Sequence, residues 1–194
     1  MLDLYFIRHG YCQSNRDECL KILLSDESDT LTEIGKTQAH RCGQHLSKII
    51  RNTAQIYFSP TSRTSETANI ISKYITYSVI EDSDLLLKRS YNQQNKKIYN
   101  EYYSTHIEKD IIQNKDCEFL LKRFGGESRY DLYKRAVIFI NYLQRKHNNS
   151  SIIIVSHVGW IRMAIMYILQ QSIEEYRVSK YRNISNCEII KMQL

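Results

Sequence analysis

Two histidines and two arginines stand out by type and by position. Arg8-His9 closes an apolar run, Arg63 follows Ser59-Pro60-Thr61-Ser62, and His157 follows Ser156 after the aliphatic run Ile152–Val155. A guanidinium keeps its charge at any physiological pH and forks onto paired oxygens. An imidazole with an ordinary pKa of ~6.5 offers a neutral ring nitrogen around neutrality. One histidine alone is more often structural than catalytic, and Arg63 alone reads as a solvated helix residue. Their joint placement at the ends of apolar runs is the signal. The net charge of +6, from 27 Lys+Arg against 21 Asp+Glu, favours anionic partners: phosphorylated metabolites, nucleic acid or an acidic surface.

The elements that would position these groups can be read from periodicity. Leu2–Ile7 predicts a short buried strand, Gln55–Phe58 a second and Ile152–Val155 a third, with Cys187–Met192 as a final strand. Thr30-Leu-Thr-Glu33 has capping-box spacing, with Thr30 as the cap, and Ile34, Ala39, Cys42, Leu46 and Ile49–Ile50 fall near one helical face. A helix is expected through Ala68, Ile70, Ile71 and Tyr74. Another is expected over Tyr130–Arg145, where Leu132, Ala136, Phe139 and Leu143 recur every three or four residues. Ser172-Ile-Glu-Glu175 is a further capping box. Short strands alternating with amphipathic helices imply an α/β fold, three layers α/β/α around a mostly parallel sheet. In such a sheet ligands bind outside the carboxyl ends of the strands, where Arg8, His9, Arg63 and His157 fall.

The 194 residues suit one domain over 1–194, with a polar excursion at about 88–122 rich in Asn, Gln, Tyr and Lys near its start. No apolar stretch approaches the ~18 residues of a membrane span, and no secretory signal precedes Arg8-His9. Five scattered cysteines (Cys12, Cys19, Cys42, Cys117, Cys187), with no Cys-x-x-Cys pair, read as reduced thiols in a cytoplasmic setting and not as a metal site or disulfide framework. A nucleic-acid binder rests on charge alone, since no basic run exceeds two residues. Trp160 and the tyrosines suit either a core or an interface.

The chain resembles the histidine phosphatase superfamily, in its phosphoglycerate-mutase-like branch. The matching words are Phe6-Ile-Arg-His-Gly10 with Asn15, Leu31-Thr-Glu-Ile-Gly35 with Gln38-Ala39, and Ser59-Pro-Thr-Ser-Arg63 with Glu66-Thr67-Ala68. Gly125-Gly-Glu-Ser128 with Asp131 and Arg135, and then Ser156-His157, complete the set in family order. The resemblance implies a metal-independent, cofactor-free phosphatase. His9 would attack phosphorus and carry a phosphohistidine, while Arg8, Arg63 and His157 hold the phosphoryl oxygens and Asn15 adds a neutral donor. Gly10 would let the backbone pass beside the phosphate. Glu127 reads as part of a turn before a helix capped by Ser128.

One motif departs from the family. Where the branch carries a proton-donating Glu in a Leu-x-Glu-Arg-x-Tyr-Gly pattern, this chain has Leu86-Leu87-Lys88-Arg89-Ser90-Tyr91-Asn92. Three readings are open. Lys88 donates the proton itself; a carboxylate such as Glu81, Asp82, Asp84 or Glu101 does; or the chain binds phospho-ligands with weak turnover or none. Smaller departures are Tyr11 after the Arg-His-Gly word, Val158 after His157, and no recognisable Gln-Gly element in Leu23–Thr30. The expected partner is a small phosphorylated substrate or a phosphopeptide. A phosphoglycerate mutase is the nearest alternative activity.

Overall fold

The computed structural model describes residues 1–17, 24–90, 126–172, 175 and 179–194. Most of the polar excursion, with Tyr91, Asn92, Glu101, Cys117 and Gly125, lies outside them, as does Cys19. Five strands form one sheet: β1 (Asp3–Arg8), β2 (Ala54–Phe58), β3 (Tyr77–Asp82), β4 (Ser151–Ser156) and β5 (Ile189–Gln193), in the order β3-β2-β4-β1-β5. The β1–β4, β4–β2 and β2–β3 pairs are parallel, and β5 runs antiparallel along β1. Among the described residues the α-helices are α1 (Glu33–Ile49), α2 (Ser62–Ser72), α3 (Arg129–Lys146) and α4 (Val158–Ile168). The expected three-layer, mostly parallel architecture is the one observed.

Burial on both faces explains the near-continuous apolar strands. Leu4 and Phe6 of β1 and Ile152 and Ile154 of β4 join Phe139 of α3 and Trp160 of α4 in one core layer. The alternate residues Tyr5, Ile7, Ile153 and Val155 pack with Leu46 of α1 and Ile71 of α2 in the other. Trp160 is therefore a core residue, fully buried with its ring 5.8 Å from Phe139. Among the described residues no helix is long and apolar enough to cross a membrane.

Several local expectations shift. The cap of α1 is Thr32, whose hydroxyl accepts from Gly35 N at 3.1 Å, and not Thr30. Its buried stripe is Gly35, Ala39, Cys42, Gly43 and Leu46; Ile34 lies about 100° from Gly35 and is exposed, as is Ile49 in the last turn. Strands β1 and β4 each extend one residue past the apolar run, because Arg8 and Ser156 continue the ladder. The Ser128 cap holds, with a reciprocal bond to Asp131, and Ser172 and Glu175 exchange bonds as a capping box does. Strand β3 buries no residue fully and helix α4 is apolar almost all round, so neither leaves a one-sided period in the sequence.

Gly10 and Gly35 form one close approach. A Cβ on Gly10 would stand 2.6 Å from Gly35 O, and one on Gly35 would stand 2.1 Å from Tyr11 O. The start of α1 thus imposes glycine at position 10 by itself. Gly35→Ala is expected to cost about 2 kcal/mol or more, as overpacking against backbone does, and urea unfolding would read it.

Candidate active site

Register brings the strand ends together. Arg8 pairs with Ser156 across β1 and β4, and Phe58 with Val155 across β2 and β4, so His9, His157 and Ser59 emerge side by side. Backbone bonds continue the ladder past the strands, from His9 N to Ser156 O (3.1 Å) and from Ser59 N to Val155 O (3.0 Å). Helices α2 and α4 start at this edge, and their N-terminal ends favour negative charge nearby. The imidazoles of His9 and His157 meet edge to face with centroids 5.3 Å apart.

The surroundings of His9 determine which ring nitrogen is free. Its Nδ1 lies 2.9 Å from Gly10 O, and a carbonyl oxygen can only accept, so Nδ1 carries the hydrogen and Nε2 keeps its lone pair. Gly10 N donates to Thr67 Oγ1, which donates in turn to Arg63 O; the turn after β1 is thereby tied to α2. Asn186 Nδ2 donates to His9 O at 2.8 Å. His157 Nε2 and Ser59 Oγ share a hydrogen bond of 2.9 Å.

Both rings are neutral at physiological pH. Burial, followed by the charge of Arg63, pushes His9 down to about 3 against the opposing pull of the Gly10 carbonyl and Asp29. Burial and then Arg63, His9, Lys88 and Arg8 hold His157 well below its usual range. A consequence for stability follows. Above pH 6.5 each ring is neutral whether the chain is folded or not. As pH falls from 6.5 toward about 3, the unfolded chain takes up protons that the folded one refuses, so stability declines. His9 is expected to remove about 2 kcal/mol between pH 7 and 5, and His157 acts in the same direction. Urea midpoints across that interval check this, and a flat profile contradicts it.

Arg63 is buried, with its guanidinium between two carboxylates: Nη1 donates to Asp29 Oδ2 and Nη2 to Asp26 Oδ1, both at 3.1 Å. Asp29 is itself saturated by Ser14 N (2.9 Å) and Ser14 Oγ (2.6 Å). Asp26 Oδ1 also accepts from Lys88 Nζ at 2.5 Å. Burial pushes the Asp26 carboxyl up, but Lys88 and then Arg63 outweigh it and hold it below its ordinary value. Arg8 Nη1 donates to Ile184 O at 2.8 Å, while its buried Nε has no partner. With Gln38, Val158, Ile184 and Asn186, Arg8 also lines an open cavity of about 520 Å³.

Asn15 stands in a short 3₁₀ turn that Tyr11 secures, its hydroxyl donating to Asn15 O at 2.9 Å. The Asn15 side-chain oxygen accepts from Cys12 N and Asn186 Nδ2, which leaves its NH₂ as the end able to donate to an anion. His9, His157, Arg63 and Lys88 thus gather at one sheet edge with Arg8 and Asn15 beside them. Asp26, Asp29 and Asn186 join the site without a signal in the sequence, and Ser59 and Thr67, which stand in its motifs, gain a role there. Of the candidate carboxylates, Glu81 is taken up by Lys146 (3.1 Å) and Asp82 and Asp84 are exposed. Glu127 has a larger part than a turn residue: it grips Arg135 through Oε1 (2.6 Å) and Oε2 (2.7 Å).

The structure is thus a mostly parallel α/β/α sheet with two histidines and two arginines at its carboxyl edge. The sequence profile of the histidine phosphatase superfamily (branch 1) matches residues 4–194, and the chain belongs to that family. It is 32% identical over 186 residues to a 2,3-bisphosphoglycerate-dependent phosphoglycerate mutase of Thermoplasma acidophilum, covering 92% of this chain and 82% of the relative. It is 28% identical over 170 residues to phosphoserine phosphatase 1 of Hydrogenobacter thermophilus, covering 86% and 75%. A mutant phosphoserine phosphatase from Entamoeba histolytica, solved in complex with phosphoserine, shares the fold with a TM-score of 0.74 at 21% identity, over 98% of this chain and 90% of the other.

Proposed function

We propose that this protein hydrolyses small phosphomonoesters through a phosphohistidine on His9. The observation that carries the reading is the Nδ1–H bond from His9 to Gly10 O, which leaves a lone pair on Nε2 of a ring buried near Arg63 and Arg8. A phosphomonoester dianion would be met by Arg63 and Arg8, with His157 and Asn15 as further donors, so charge developing on the transferring phosphoryl is balanced by groups already in place. His9 Nε2 displaces the ester oxygen, and water then displaces Nε2. Family membership and the phosphoserine phosphatase relatives support a hydrolase.

The test is hydrolysis of p-nitrophenyl phosphate between pH 5 and 8 with a chelator present. Turnover inhibited by vanadate is expected. Vanadate or phosphate binding without turnover would make the chain a phospho-ligand binder instead. Isomerisation of 3-phosphoglycerate exceeding hydrolysis would make it the mutase that its Thermoplasma relative is named as.

A further inference from the structure

By the resemblance, Lys88 falls where the family carries a proton-donating Glu, and the loop around it is firmly built. Arg135 Nη1 donates to Leu85 O (2.9 Å) and Leu87 O (3.0 Å), and Nη2 to Lys88 O (3.2 Å). Glu127, which grips the same guanidinium, also accepts from Ser90 N through Oε2 and donates its backbone N–H to Ser90 O, both at 3.0 Å. The backbone on either side of Lys88 is therefore pinned from α3 and the turn before it. An ordinary surface lysine needs no such support.

The ammonium points back to the site. Lys88 Nζ donates to Asp26 Oδ1, the oxygen that also accepts from Arg63 Nη2, so one carboxylate oxygen joins the loop lysine to a buried arginine of the phosphate pocket. The Lys88 charge is also felt at His157. Asp26 is in turn fixed by its backbone, since Asp26 O accepts from Ser62 N and Glu27 O from Ser62 Oγ at the start of α2. Both Lys88 and Asp26 side chains are 38% exposed, so the pair is open to solvent and to an arriving ester.

We propose that Lys88 is the general acid and base of this enzyme and that Asp26 is the residue that positions its ammonium; the proposal rests on the phosphatase reading above. In the first step the Nε2 lone pair of His9 forms the N–P bond as the P–O ester bond breaks. The bonding pair goes to the leaving oxygen, which takes a proton from Lys88 Nζ and departs as the alcohol. Lys88 is left as a neutral amine. In the second step that amine takes a proton from water as the water oxygen bonds phosphorus, and the N–P pair returns to Nε2. Inorganic phosphate leaves, and Lys88 is again an ammonium on Asp26.

The test uses the full chain and a series of esters with progressively poorer leaving groups: p-nitrophenyl phosphate, phenyl phosphate and glycerol 2-phosphate. A positioned proton donor contributes roughly 10²–10⁴ in rate where the leaving group needs it. Lys88→Met is expected to lower the ratio of kcat on glycerol 2-phosphate to kcat on p-nitrophenyl phosphate by about 100-fold. Lys88→Arg, which keeps the charge but holds its proton far more tightly, is expected to lower the ratio similarly. Asp26→Asn lowers it by about tenfold, and Asp26→Glu recovers part of the loss. The same ratio in Lys88→Arg as in the unaltered chain overturns the proposal, as does equal loss on all three esters or no cleavage of glycerol 2-phosphate by the unaltered chain. Those results leave the phosphatase reading standing if p-nitrophenyl phosphate is still cleaved in a His9-dependent way. No cleavage of any ester overturns both.

Discussion

His9→Ala is expected to abolish phosphomonoester turnover, by roughly 10⁴-fold or more, while phosphate and vanadate still bind. The ring is buried among Arg8, Arg63 and His157, and its removal takes away the only nitrogen whose tautomer is set by Gly10 O to present a lone pair at that point. The cations that hold the anion stay in place, since Arg63 is oriented by Asp29 and Asp26 rather than by His9. The variant also loses a buried ring that resists protonation, so its stability should fall less steeply between pH 7 and 5 than that of the unaltered chain. Steady-state hydrolysis of p-nitrophenyl phosphate and a vanadate titration check the two halves. Residual activity within tenfold of the unaltered chain would contradict the assignment of His9.

The change Arg63→Met acts on site and scaffold together. It removes a fork of charge-assisted donors to the phosphoryl oxygens, expected to cost about 10²–10³ in kcat, as loss of one such donor does elsewhere. It also strands Asp29, whose side chain is 6% exposed, and breaking one partner from a buried ion pair costs about 3–5 kcal/mol. Ser14 N and Oγ still bond Asp29, which places the expected loss at the lower end of that range. Adding Asp29→Asn separates the two effects: the double variant should recover part of the stability in urea and none of the activity. Recovery of activity in the double variant would mean that Arg63 serves the scaffold alone.

What could be read in advance divides along physical lines. Strands β1 and β4 and helix α3 have both-face burial or a clear helical period, and these leave a pattern in the residues themselves. His9, Arg63 and His157 were legible as a group because each follows an apolar run, and a parallel sheet brings such ends to one edge. Asp26 and Asp29 were not legible. They lie in Leu24-Ser25-Asp26-Glu27-Ser28-Asp29, which has no period, and acidic residues beside a phosphate pocket look repulsive until their pairing with Arg63 and Lys88 is seen. Glu127 was read from its neighbours Gly126 and Ser128 as a turn residue. It grips Arg135 eight residues on, and the hold of the two on the Lys88 loop depends on contacts 37 to 50 residues apart that no local pattern encodes. The approach of Gly10 to Gly35 in space is likewise absent from any local pattern.

The covalent step is tested most directly by trapping it. The chain is mixed with a radiolabelled phosphomonoester, quenched during turnover in alkaline denaturant, and digested. A phosphoryl group stable to alkali, released by acid, and carried by the peptide containing His9 is the expected result. It should be missing from His9→Ala and retained longer in Lys88→Met, in which the base for the hydrolytic half-reaction is gone. Rapid turnover with no label on His9, or label on His157 instead, would contradict nucleophilic attack by His9.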